Sequence, residues 1–137
     1  MATAPAFAAT PRQGTGSIAT ADTGFGNVAP TNFATVFTGG ASGSRVDRIR
    51  FAFNTTTSAA GLVNVFIKDT TPNYRLVKSV AYTAVTVSTT TGSAFSDGSG
   101  LIEFTNGVML PSASWALCIS FTAGTGTLVG TADGGDF

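Results

Sequence analysis

The side chains able to do chemistry in this chain are few and scattered. Its 137 residues hold seven acids, Asp22, Asp47, Asp69, Asp97, Glu103, Asp133 and Asp136, together with five arginines, two lysines, one cysteine and no histidine. Without histidine the usual general base near neutral pH is missing, and with it the Ser-His and Cys-His nucleophile pairs and most zinc and haem sites. Paired-carboxylate glycoside chemistry would need two acids to meet in space. The spacing selects no such pair, Asp133 and Asp136 being the nearest neighbours. A calcium site built on those two and loop carbonyls lacks the spacing of an EF-hand loop. Cys118 lies inside the apolar run from Trp115 to Phe121 and reads as a small buried hydrophobe, not a reactive thiol. These features predict a protein that is not an enzyme and holds neither metal nor cofactor.

Three short signatures carry little weight. Gly14-Thr-Gly16-Ser-Ile-Ala19 has the form G-x-G-x-x-A, but no strand precedes it and no helix follows to aim amides at a pyrophosphate. The ending Gly134-Gly135-Asp136-Phe137 has part of a GG(D/E)EF signature, without the acid before Phe and without an α/β setting. Asn54-Thr55-Thr56 would accept a glycan only in a secretory pathway. Tyr74, Tyr82 and Trp115 could stack on a sugar, although Trp115 reads as core. Arg45, Arg48 and Arg50 form the one dense basic cluster, in a chain of zero net charge. That is too little positive charge for nucleic acid or an anionic membrane, and neither is expected as a partner. By alternation Arg48 and Arg50 share a strand face with Val46. They form either a solvated face with an Arg45–Asp47 or Arg48–Asp69 pair, or a guanidinium set for carboxylates on another protein.

The elements that must position these residues are strands. Good helix formers are scarce, with one Glu, two Lys and six Leu against abundant Thr, Val, Phe and Gly. Alternation marks strands at Ser17–Thr20, Ala34–Thr38, Arg45–Asn54, Gly61–Asp69, Trp115–Phe121 and Gly126–Ala132. Arg75–Val87 reads as one bent strand or two short ones. Asn106-Gly107 between Leu101–Phe104 and Val108–Leu110 is a strong hairpin signal. Gly39–Ser44, Ser88–Gly100 and Gly134–Phe137 read as irregular. The expected fold is all-β, a single β-sandwich or jelly-roll-like domain of about eight or nine short antiparallel strands over residues 17–137. Residues 1–16 read as an extended N-terminal arm able to reach about 50 Å, with Phe7 as its anchor. No stretch approaches the ~18 apolar residues of a spanning helix. Met1 to Arg12 lacks the basic start and apolar centre of a signal peptide.

Charged residues make up 10% of the chain, where roughly 25% is usual. Five aromatics, Phe7, Phe25, Phe33, Phe95 and Phe137, fall in predicted loops or ends. Sparse charge and loop aromatics together suggest a surface covered by neighbouring chains, as in a trimer or a larger shell. The segments Met1-Ala-Thr-Ala-Pro-Ala-Phe-Ala-Ala-Thr-Pro-Arg12, Val36 to Arg50, Val65-Phe-Ile-Lys-Asp69, Leu110-Pro-Ser and the terminal Gly-Gly-Asp-Phe resemble small virion proteins of tailed bacteriophages and prophages. Within that group the chain is similar to capsid decoration, or cement, proteins. It departs from them around Asp22 to Asn32 and in the loop from Ser88 to Gly100. The resemblance implies a β-sandwich made in the bacterial cytoplasm and placed on the capsid surface, where it strengthens the shell. Its partners would be the major capsid protein and copies of itself, in a homotrimer. A tail or head-fibre subunit and a carbohydrate-binding module are the rival readings. The candidate partner-binding residues are Phe7, Arg12, Arg45, Arg48, Arg50 and Phe137.

Overall fold

Strands dominate because β-branched and aromatic residues alternate with Thr, Ser and Gly, which suits a pleated, half-buried surface better than a helix. The computed structural model describes residues 10–22, 29–70, 73–96 and 100–137, and among them there is no helix. The strands are β1 (Thr10–Ile18), β2 (Ala34–Thr38), β3 (Ser44–Phe53), β4 (Gly61–Lys68), β5 (Tyr74–Tyr82), β6 (Leu101–Leu110), β7 (Ala116–Phe121) and β8 (Leu128–Asp136). They form two antiparallel four-stranded sheets, ordered β1-β8-β3-β6 and β2-β7-β4-β5. The sheets pack face to face as a β-sandwich, the class expected from the sequence.

The core fills the space between them. The first sheet contributes Val46, Ile49, Phe51, Phe53, Ile102, Leu110 and Leu128, and the second Val36, Phe37, Val63, Val65, Leu117, Ile119 and Phe121. Phe53 meets Phe121 edge-on with ring centroids 5.3 Å apart, and Tyr82 lies 4.8 Å from Phe53. The central strand β7 is buried along its whole length. Its second face, with Ala116 and Cys118, joins Phe66, Phe33 and Tyr74 in a smaller apolar cluster on the outside of the second sheet. Strands β4 and β7 are therefore hydrophobic on both faces: one face serves the main core and the other this satellite.

Three local expectations are corrected. Residues 10–16 are not a free arm, because all of them belong to β1 and pair with β8, from Thr10↔Asp136 to Gly16↔Gly130. The expected boundary between residues 16 and 17 falls inside that strand; Phe7 lies outside the described residues. The same pairing turns Gly134–Asp136, read as irregular, into the end of a central strand. Asn106-Gly107 does not close a hairpin, since β3 continues past it and pairs with β6 on both sides, at Val46↔Val108 and at Arg48↔Glu103. The turn chemistry is still present, with φ of 64° at Asn106 and 75° at Gly107. It bulges a few residues out of a strand instead of reversing the chain.

The side of the sandwich where β1 overlies β2 explains the Gly14-Thr-Gly16 spacing. A Cβ on Gly14 would fall 2.1 Å from the Val36 carbonyl oxygen, and one on Gly16 2.3 Å from that of Thr35. Only glycine lets the two backbones approach so closely.

Candidate functional site

Strand β3 carries one extra residue, Asp47, relative to β8, where the register shifts between Val46 and Arg48; against β6 the surplus over the same interval lies on β6, between Glu103 and Val108. A one-residue bulge reverses the alternation on one side of it. Val46 therefore turns inward, fully buried, and does not share a face with Arg48 and Arg50 as simple alternation predicts. The same shift brings Arg45 into phase with Arg48 and Arg50, so all three arginines belong to the outer face of the first sheet.

The register builds that face row by row. Pro11, Gly135, Arg45 and Met109 lie across the four strands, followed by Gln13, Asp133, Arg48 and Glu103, and then by Thr15, Thr131, Arg50 and Leu101. Asp133 is the hub. One carboxylate oxygen accepts a hydrogen bond from the Gln13 side-chain amide at 2.7 Å. The other accepts from Arg48 Nε at 2.8 Å and from Arg50 Nη2 at 3.2 Å. The Gln13 hydrogen bond and then the Arg48 hydrogen bond hold the Asp133 carboxyl below its ordinary pKa, and Asp133 in turn raises that of Arg48. Asp133 is thus a fixed anion and not a proton donor near neutral pH. The Arg48 and Arg50 side chains remain 51% and 53% exposed, which leaves guanidinium edges free to reach outward. Beside Arg50 an open depression of about 340 Å³ is lined by Gln13, Phe51, Ala52, Val129 and Thr131.

The other candidates are placed differently. Arg45 pairs with Asp47 at 2.8 Å, as the sequence suggested. Arg48 does not pair with Asp69, whose carboxylate lies 3.4 Å from Arg75 of the other sheet. Arg12 points into the end of the sandwich. There it pairs with Asp136 at 3.3 Å, donates to the Thr38 carbonyl and lies 4.3 Å over the Phe37 ring. Ser44 donates to the same Asp136 carboxylate. The amide of Phe137 donates to the Gly43 carbonyl at 3.1 Å, which ties the end of β8 to the turn before β3. Arg12 and Phe137 thus hold one end of the fold together, while Arg45, Arg48 and Arg50 share the outer face.

Asp133 and Asp136 lie on opposite faces of β8 with separate partners, so they do not converge on a cation. Among the described residues no group of three or more acids or thiols is placed to hold a metal. Trp115 packs against the core with the Arg75 guanidinium 5.3 Å over its ring, and buried Tyr82 donates to the Ala123 carbonyl at 2.6 Å. Burial raises the pKa of Tyr82 and, with only partial relief from Thr35, that of Cys118, which keeps the thiol protonated and inert.

Sequence reasoning missed Gln13, because its strand was read as an arm, and the hub role of Asp133, because its partners are remote in the chain. A five-residue glycine-punctuated alternation, Arg12 to Gly16, was the available signal for β1. Comparison with models of known protein families, with curated proteins and with solved structures gives no match for this chain.

Proposed function

We propose that this chain is a non-enzymatic structural component of a bacteriophage virion, a capsid decoration protein that binds the outer surface of the head and stabilises the shell. The observation that carries the reading is the outer face of β1-β8-β3-β6, where two half-exposed guanidinium groups are held in position by one ionised carboxylate on a rigid strand platform. Planar, pre-positioned guanidinium groups suit ion pairs with carboxylates on another protein. Four of the described acids support the same reading: Asp22, Asp69, Asp133 and Asp136 are each engaged in holding loops or strands together. The resemblance of the segments around Val36 to Arg50 and Val65 to Asp69 to decoration proteins supplies the biological setting, with the major capsid protein and further copies in a trimer as partners.

The mechanism is linkage. A subunit that binds only the assembled lattice adds its binding free energy to the shell, roughly 2.7 kcal/mol per site at 100 times its dissociation constant. The test compares Arg48→Glu/Arg50→Glu with the unaltered chain on heads stripped of it, reading occupancy per head. The expected result is binding of the unaltered chain and at least a tenfold loss for the variant, with an unchanged β-sheet circular dichroism spectrum. Absence of the chain from purified particles would overturn the virion reading, and full occupancy by the variant would remove the arginine face from it.

A further inference from the structure

Of the asparagines in the chain, only Asn106 is followed by glycine. The Asn106 side-chain carbonyl carbon and the Gly107 amide nitrogen can join in a five-membered ring, and glycine leaves that nitrogen unshielded by a Cβ. Closure between groups already tethered in one chain draws on the proximity that makes intramolecular reactions fast.

The fold leaves this pair free to react. Residues 104–107 lie between the pairs Val46↔Val108 and Arg48↔Glu103 and have no partner on β3. Strand β6 ends the first sheet, so no further strand holds them from the other side. Asn106 is exposed and sits in the left-handed region, which costs a side-chain-bearing residue free energy. Other candidates are held. Asn64 is buried and accepts from Ser79, and Asn73 bonds to Asp69. The comparable pair Asp133-Gly134 lies in β8 between β1 and β3, its carboxylate bonded to Gln13 and Arg48. The Arg45 side chain, which also pairs with Asp47, lies against Gly107: a Cβ built there would be 3.3 Å from Arg45 Nε. A cation beside the pair favours the negative charge that develops as the nitrogen attacks.

We propose that Asn106 is a self-modification site, where the chain converts an amide into a carboxylate with water as the only co-reactant. The Gly107 amide nitrogen gives up its proton to hydroxide and attacks Asn106 Cγ. A Cγ–N bond forms, the Cγ–Nδ2 bond breaks, and the departing group takes a proton from water and leaves as ammonia. Water then adds to either carbonyl carbon of the succinimide and breaks one of its ring C–N bonds, giving aspartate or isoaspartate. Isoaspartate lengthens the main chain by one methylene, which a bulge outside the ladder absorbs. Either product sets a new carboxylate near Arg45 at the edge of the outer face and lowers the net charge of the chain by one from zero.

The test incubates the full chain in mildly alkaline buffer, beside a sample unfolded in guanidinium, and follows each asparagine by peptide mass spectrometry. A gain of one mass unit is expected at Asn106, at least about tenfold faster than at exposed Asn32 or Asn54. Ammonia release should keep step, and the isoelectric point should shift to that of Asn106→Asp. The folded chain should react within about tenfold of the unfolded one, because no ladder has to open first. Asn106→Gln, which needs a larger ring, should show neither the shift nor isoaspartate. The substituted side chain is exposed, and an unchanged circular dichroism spectrum verifies the fold, while the unaltered chain tests the proposal by itself. A rate at Asn106 within about tenfold of those at Asn32 and Asn54, protection by folding beyond about tenfold, or the same acidic shift in Asn106→Gln would each overturn the proposal. The assay contains no viral component, so its failure leaves the decoration reading intact, and loss of that reading leaves this one intact.

Discussion

Asp133 shows what a single side chain contributes here. Its carboxylate gathers Gln13, Arg48 and Arg50 from three strands. Because these partners depress its pKa in the folded state, the unfolded chain binds the proton more readily. The stabilisation is complete above the ordinary carboxylate value near 4 and is lost as pH falls through the lower folded value. Asp133→Asn should lower the melting temperature by about 3 °C near neutral pH, and the gap should close as pH falls below the depressed folded-state value. A gap that stayed constant with pH would show that the row is held by shape and not by charge. The acid itself was visible in the sequence; its partners were not, since Gln13 lies 120 residues away and Arg48 85.

At the scale of elements, two bulges and one close approach decide what the strands display. The extra residue at Asp47 turns Val46 into the core and Arg45 out to the outer face of the first sheet. The interruption at Asn106-Gly107 keeps β6 beside β3 while spoiling its outer edge. The approach of β1 to β2 depends on Gly14 and Gly16, where a side chain would meet backbone that cannot rotate away. Gly16→Ala is expected to cost about 2–3 kcal/mol in urea unfolding, as overpacking does. Gly92→Ala, with nothing within 4 Å of its Cβ, should stay within about 0.5 kcal/mol of the unaltered chain. Equal effects from the two substitutions would mean that β1 is not seated on β2 as described.

For the whole molecule, the first and last strands are structural partners. Strand β1 covers the side of β8 and lies over β2, so it completes one sheet and closes the sandwich. Removing residues 10–16 should cost at least about 3 kcal/mol of the 5–15 kcal/mol typical of a domain, read as a lower urea midpoint. An arm that merely trailed from the domain could be removed without changing that midpoint. The all-β class, the position of β2, the all-round burial of β7 and the scarcity of charge were legible in the sequence. Each depends on composition or on a period of two within a few residues, and the pleated backbone enforces that period locally. The phase of alternation across Asp47, the fate of Asn106-Gly107 and the meeting of Asp133 with Gln13 and Arg48 were decided only by the tertiary structure. These depend on register between strands distant in the chain, where cross-strand hydrogen bonds and burial of one face select the pairing and no local window contains both partners.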